Sequence, residues 1–291
     1  MVDNHLKPHA IMIAYPLQGH VTPCVHLATK LASNGFTITF VNTEATHQKL
    51  STSRPNSAGD DLFAEARQSG LDIRYTTVND GFPVDLDPLN VDQAVESLLH
   101  VFPVHVDELV GKIVRNSDPP VNCLIADTFH VWPSRIAEKY KLVHVSLWTE
   151  PALVFTIYHH LDLLRSNGHF DSINGNRKDT INYVPGVRGI EPTDLMSYLQ
   201  DTYSYTPVQK IVFKSFEEVK RADFIICNTV QELEYETIST LHQKQPFFAI
   251  GPIFSTSFTK SIVATSLLSE SDCTQWLNYE ASWVSFVCFI W

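Results

Sequence analysis

At 291 residues, 44% of them hydrophobic, the chain is long enough to bury a substantial core in one large domain or two ordinary ones. Its formal net charge of −11 opposes a nucleic-acid partner, because proteins that bind phosphate backbones gather Lys and Arg into a positive face. The five cysteines are widely spaced with no C-x-x-C pair, the start Met1 to Pro8 is too polar for a secretory signal, and the most apolar late stretch, Trp283 to Trp291, has nine residues where a membrane span needs about 20. Reduced thiols, a cytoplasmic location and no membrane-spanning segment are therefore expected.

The first element is His9 to Tyr15, a short apolar run ended by Pro16, which suits a buried strand. After a turn, Pro16 to His20, apolar residues recur at helical spacing as Val25, Ala28, Leu31 and Ala32, with Gly35 placed as a helix C-cap. Phe36 to Val41 is β-branched and aromatic, so the opening reads strand, helix, strand. Similar buried runs follow at Ile73 to Thr76, Cys123 to Ala126, Val143 to Leu147, Phe224 to Cys227 and Phe247 to Ile250. Helical patterns at Val91 to Leu99 and Trp132 to Tyr140 supply the crossovers that parallel strands require. The expected fold class is α/β, a doubly wound, Rossmann-like parallel sheet of roughly seven strands.

Two stretches, Ser51 to Asp61 and Asn167 to Thr193, are rich in Ser, Asn, Gly and Pro and are expected as surface loops. The expected organisation is a domain over 1–251, a Ser/Thr-rich linker over 252–271, and the start of a further domain over 272–291.

In open α/β sheets ligands sit beyond the carboxyl ends of the strands, which singles out two residues. His20 follows the first strand, where an imidazole on a rigid scaffold can reach a bound hydroxyl; the competing reading is an ordinary loop histidine, one of 13. Asp127 ends the run Cys123 to Ala126 and can accept from the second imidazole nitrogen, fixing its tautomer; the competing reading is an N-cap for a helix near Phe129. Asp85-Leu86-Asp87 fits a metal-binding D-x-D but reads better as a solvated loop. His159-His160 offers two adjacent ligands that diverge by about 100° on a helix, too few for a metal. No G-x-G-x-x-G, P-loop or G-x-S-x-G motif occurs.

The stretch His9 to Pro23 resembles the opening of plant UDP-glycosyltransferases. Further matches follow in order at Phe36 to Thr43, Asp80-Gly81-Phe82-Pro83, Leu124 to Phe129, Trp148-Thr149, Arg221-Ala222-Asp223, Asn228 to Glu234 and Ala249 to Pro252. The resemblance implies the N-terminal, acceptor-binding half of a GT-B fold and a metal-independent, inverting transfer of a sugar, such as glucose, to a small hydroxylated acceptor. The UDP-sugar is a co-substrate, and no other cofactor is implied. It casts His20 as catalytic base and Asp127 as its stabiliser. It places Gly19 and Thr149 against the donor, and Phe82, Phe129 and Tyr158 along the acceptor pocket, although each of these aromatics equally suits core packing. The family's donor-binding motifs are not found in the sequence, which implies a truncated member, inactive in this form; the alternative is a non-catalytic small-molecule-binding module.

Overall fold

The computed structural model describes residues 7–52, 62–82, 91–173, 175–200 and 206–253. Seven strands, β1 (His9–Ile13), β2 (Thr37–Thr43), β3 (Ile73–Val78), β4 (Cys123–Asp127), β5 (Val143–Trp148), β6 (Phe224–Cys227) and β7 (Phe247–Ala249), form one sheet in the order β3-β2-β1-β4-β5-β6-β7. Every neighbouring pair is parallel. All residues of β1 and β2 are buried, which explains why, apart from His9 and Asn42, they are apolar or β-branched: a parallel sheet is covered on both faces.

The covering elements are helices that run opposite to the strands. These are α1 (Gln18–Ser33), α2 (Glu44–Thr52), α3 (Ala64–Gln68), α4 (Val91–Glu96), a π-helical turn (Ser97–Val101) continuing into α5 (Phe102–Asn116), and α6 (Pro133–Tyr140). Then come α7 (Ala152–His159), α8 (Leu161–Ser166), α9 (Ser197–Gln200), α10 (Pro207–Val219) and α11 (Tyr235–His242). Successive strand residues part to opposite faces. Ala10 and Met12 pack with Val21, Val25 and Ala28 of α1, whereas Ile11 and Ile13 pack with residues of α5 and α6, including Val106 and Ile136. Each of the larger side chains among them, the Val, Ile and Met residues, contributes about 1.5–3 kcal/mol by burial, so the central strands are clamped between two apolar layers. A third cluster, around Trp148, Phe155, Tyr158 and Phe216, holds the second half of the sheet.

Helix α1 ends as its sequence indicates: Gly35 takes a positive φ of 91°, and Gly35 and Phe36 donate back to Ala32 and Leu31. Its start lies earlier than expected. Leu17 is extended and its carbonyl accepts from the N–H groups of His20 and Val21, so His20 belongs to the first turn of α1 and not to a preceding loop. The stretch Asn167 to Thr193 is irregular but not merely superficial. Phe170, Ile181 and Val184 are buried in the third cluster, and Ile181 bridges Ile190. Its Gly, Asn and Pro residues disrupt regular structure, and its few apolar side chains still anchor it. Most of the other expected loop, 53–61, and the expected linker and further domain beyond Ile253, lie outside the described residues.

Candidate active site

Strand order reverses between β1 and β4, which is where a doubly wound sheet opens a crevice at its carboxyl edge. His20 comes to that point from the first turn of α1, and Asp127 from the last position of β4. His20 Nδ1 lies 2.8 Å from Asp127 Oδ2, and the two side chains are 11% and 2% exposed. The second carboxylate oxygen is used as well: Oδ1 accepts from the Phe129 N–H at 2.9 Å, and the Asp127 carbonyl accepts from the His130 N–H. The competing N-cap reading is therefore corrected in part. Asp127 does tie the following turn, but the helix after it, α6, begins only at Pro133.

Burial pulls the His20 pKa down, but the charge and hydrogen bond of Asp127, aided by Glu150, outweigh it, so the net shift is above the ordinary value of 6.5. With Nδ1–H donating to the carboxylate, the lone pair of Nε2 is free to take a proton. Among the described residues Nε2 has no hydrogen-bond partner, and it is not among the fully sealed polar atoms that lack one. Thr149, just beyond β5, brings its Oγ1 to 3.2 Å from the same Nδ1. Phe129 sets its ring edge-on to the imidazole with centroids 5.4 Å apart, and Tyr15 borders it at the same distance.

Thus four of the residues singled out from sequence, His20, Asp127, Thr149 and Phe129, come together. Gly19 is half-buried in the first turn of α1, a turn that carries no acidic residue and no capping side chain. Tyr158 lies behind the site: it is 4% exposed, packs edge-on to Trp148, and its hydroxyl meets that of Tyr198. Phe82 is half-buried beyond β3, where Asp80 accepts from its N–H, and among the described residues its ring meets no other ring.

The nitrogens of His160 are occupied by Thr156 and Lys244, whereas His159 stacks on Phe155 and its buried Nδ1 has no partner among the described residues, so the two rings do not converge as a ligand pair. Asp85 and Asp87 lie outside the described residues. Among the described residues no group of three His, Cys, Asp or Glu stands ready for a metal, and no helix is long and apolar enough to cross a membrane. Cys24, Cys123 and Cys227 are free thiols.

Sequence reading stopped short of two carboxylates. Glu234 accepts from the N–H groups of Ala152 and Leu153 and from Thr229, which anchors the start of α7 to the loop after β6. Glu150 follows Thr149 directly and acts electrostatically on His20. A charged residue immediately past the carboxyl end of a central strand is the signal that marks it.

No family model matches the chain. It is 62% identical over 278 residues to UDP-glycosyltransferase 86A1 of Arabidopsis thaliana, an alignment covering 94% of this chain and 56% of that protein. It is 54% identical to UDP-glycosyltransferase 86A2 of the same plant, with the same coverage, and 32% identical to the 7-deoxyloganetin glucosyltransferase of Gardenia jasminoides, covering 94% of this chain and 59% of the relative. Among solved structures, UDP-glucose:anthocyanidin 3-O-glucosyltransferase in complex with UDP superposes with a TM-score of 0.72 at 18% identity, covering 94% of this chain and 58% of the other. Medicago truncatula UGT71G1 complexed with UDP-glucose gives 0.67 at 18% identity, covering 88% and 54%. These structures show that the sheet is that of GT-B glycosyltransferases over about half of each solved chain. With its high identity to 86A1 sustained over nearly all its residues, the chain belongs to the plant UDP-glycosyltransferases, spanning a little over half the length of the relatives it matches.

Proposed function

We propose that this chain forms the acceptor-binding part of an enzyme that transfers a sugar, as glucose is transferred by several named relatives, from a UDP-sugar to a hydroxyl of a small acceptor. The observation that carries the reading is the 2.8 Å contact between His20 and Asp127 at the point where the strand order reverses. His20 Nε2 takes the proton of the acceptor hydroxyl, Asp127 holds the ring and stabilises the imidazolium, and the freed oxygen attacks the anomeric carbon as UDP departs, with inversion. No metal enters this step. Thr149, beside the imidazole, faces the sugar, and the uncapped first turn of α1 at Gly19 offers backbone N–H groups and a positive helix end to the diphosphate. Phe129 supplies an apolar wall for the acceptor, Phe82 a more distant one, and Tyr158 the layer behind. The free thiols fit a cytoplasmic setting.

Transfer is expected from a polypeptide of the relatives' full length and not from residues 1–291 alone, which span 56% of UDP-glycosyltransferase 86A1. The test is product formation from UDP-glucose and a panel of phenolic acceptors by both forms. In the longer form His20→Ala is expected to lower kcat by about 10²–10⁴, the usual contribution of a general base. Undiminished turnover in that variant would overturn the assignment of the base.

A further inference from the structure

Glu150 is fixed by its backbone at the rim of the candidate site. It follows Thr149 at the carboxyl end of β5; the Trp148 carbonyl accepts from the Asn228 N–H, and the Glu150 carbonyl accepts from Cys227 Sγ at 3.4 Å. Its side chain is half-buried and receives no hydrogen bond among the described residues. Glu150 directly follows the residue whose Oγ1 lies 3.2 Å from His20 Nδ1, and its charge acts on His20 and Asp127 and also on Tyr158 and Tyr198, so it lies within electrostatic reach of both the dyad and the tyrosine pair. The two tyrosine hydroxyls already satisfy each other. Burial raises the pKa of Glu150, with His20 opposing and Asp127 reinforcing that shift. Taking a carboxylate partly out of water without a donor is costly, and the cost is relieved when a ligand brings one.

We infer that Glu150 is a specificity-determining residue of the acceptor site, one that selects acceptors carrying a second hydrogen-bond donor besides the hydroxyl presented to His20 and rejects acceptors carrying a carboxylate. The inference rests on the acceptor-site reading above. The apolar body of such an acceptor lies along Phe129, its reacting hydroxyl at His20 Nε2, and its second hydroxyl at the Glu150 carboxylate. An anionic acceptor would set like charges together in a partly desolvated cleft that already holds Asp127.

The experiment uses the whole chain and three sets of probes: the three isomers of (hydroxymethyl)phenol, the matching methylphenols, and the three hydroxybenzoates, with binding measured by titration calorimetry at pH 7. The wild type is expected to bind at least one (hydroxymethyl)phenol about tenfold more tightly than its methyl counterpart, as a hydrogen bond to a charged acceptor gives. Hydroxybenzoate binding is expected to be at least tenfold weaker than that of the preferred isomer. Glu150→Ala should erase the preference. Glu150→Gln, which keeps an acceptor oxygen but loses the charge, should reduce it to roughly two- to threefold and should improve hydroxybenzoate binding about tenfold. Methylphenols that bind as well as their hydroxymethyl partners, or a preference that survives in Glu150→Ala, would overturn the role of Glu150 while leaving the acceptor site standing. Failure of every phenol to bind the wild type would remove the acceptor-site reading, and this inference with it.

Discussion

Two histidines border the ring of Tyr15, each with centroids 5.4 Å from it, and they behave in opposite ways. His20 meets the Asp127 carboxylate and keeps Nε2 within reach of solvent. His130 packs against Phe102 and Trp132, and its buried Nε2 has no partner. Burial lowers both pKa values. For His130 it prevails over the more distant charge of Asp127, and the pKa falls to about 4; for His20 the adjacent carboxylate reverses it. The difference teaches that what raises an imidazole's affinity for a proton here is not the ring or its burial but a carboxylate within hydrogen-bonding distance.

The largest way to break that contrast is Asp127→Ala, which leaves the buried His20 ring and the Phe129 N–H without their acceptor. A loss of about 3–5 kcal/mol is expected in urea unfolding at pH 7, and a loss under about 1 kcal/mol would show that the pair contributes little to the fold. Next is the acid side of the other histidine. An unfolded His130 gains its proton near 6.5, whereas the folded one resists until about 4. Its stabilising contribution is therefore present above 6.5 and is lost as the pH falls toward 4, by about 3 kcal/mol in total. His130→Phe should flatten the stability profile between these two values by that amount, and an unchanged slope would contradict the burial argument.

A smaller but sharper test is the titration of His20 by NMR. In the wild type it should titrate above 6.5; in Asp127→Asn, which retains the burial but not the charge, it should fall below 6.5. By linkage, the raised pKa stabilises the fold fully below 6.5, and that contribution disappears as the pH rises through the folded value, so the Asn variant should lose stability mainly on the acid side of neutrality. The smallest effect is expected for Thr149→Val, which removes a 3.2 Å contact of a partly exposed hydroxyl: about 0.5–1 kcal/mol by urea unfolding, with the titration of His20 nearly unmoved.

Much of this was legible in the sequence because parallel strands write themselves as short apolar runs. Phe224 to Cys227 is the observed β6 in full, and Cys123 to Ala126 falls one residue short of β4. His20 and Asp127 were found because both stand where a strand hands over to the next element. What stayed illegible depends on contacts between distant residues. That His20 lies inside α1 turns on the carbonyl of Leu17, and the burial of Phe170 and Ile181 within a Gly- and Asn-rich stretch turns on a cluster assembled from α7, α10 and β6. Glu150 escaped notice because adjacency to Thr149 says nothing of a pair of tyrosines at 158 and 198.

The neighbours of β1 have a temporal consequence. Its partner β2 is made soon after it, but its other partner, β4, arrives only at residues 123–127, and His20 and Asp127 are 107 positions apart. At synthesis rates of roughly 5–20 residues per second, the ribosome adds the residues between the end of β3 and Asp127 in about 2–10 s. During that interval a sheet of β3, β2 and β1 presents along β1 a bare edge of unpaired backbone N–H and C=O groups, the kind of edge that invites pairing with another chain. The strand that closes this edge is the same one that delivers the carboxylate to the imidazole. Protection of the nascent chain and completion of the dyad are thus a single event, and a chain halted before residue 127 lacks both.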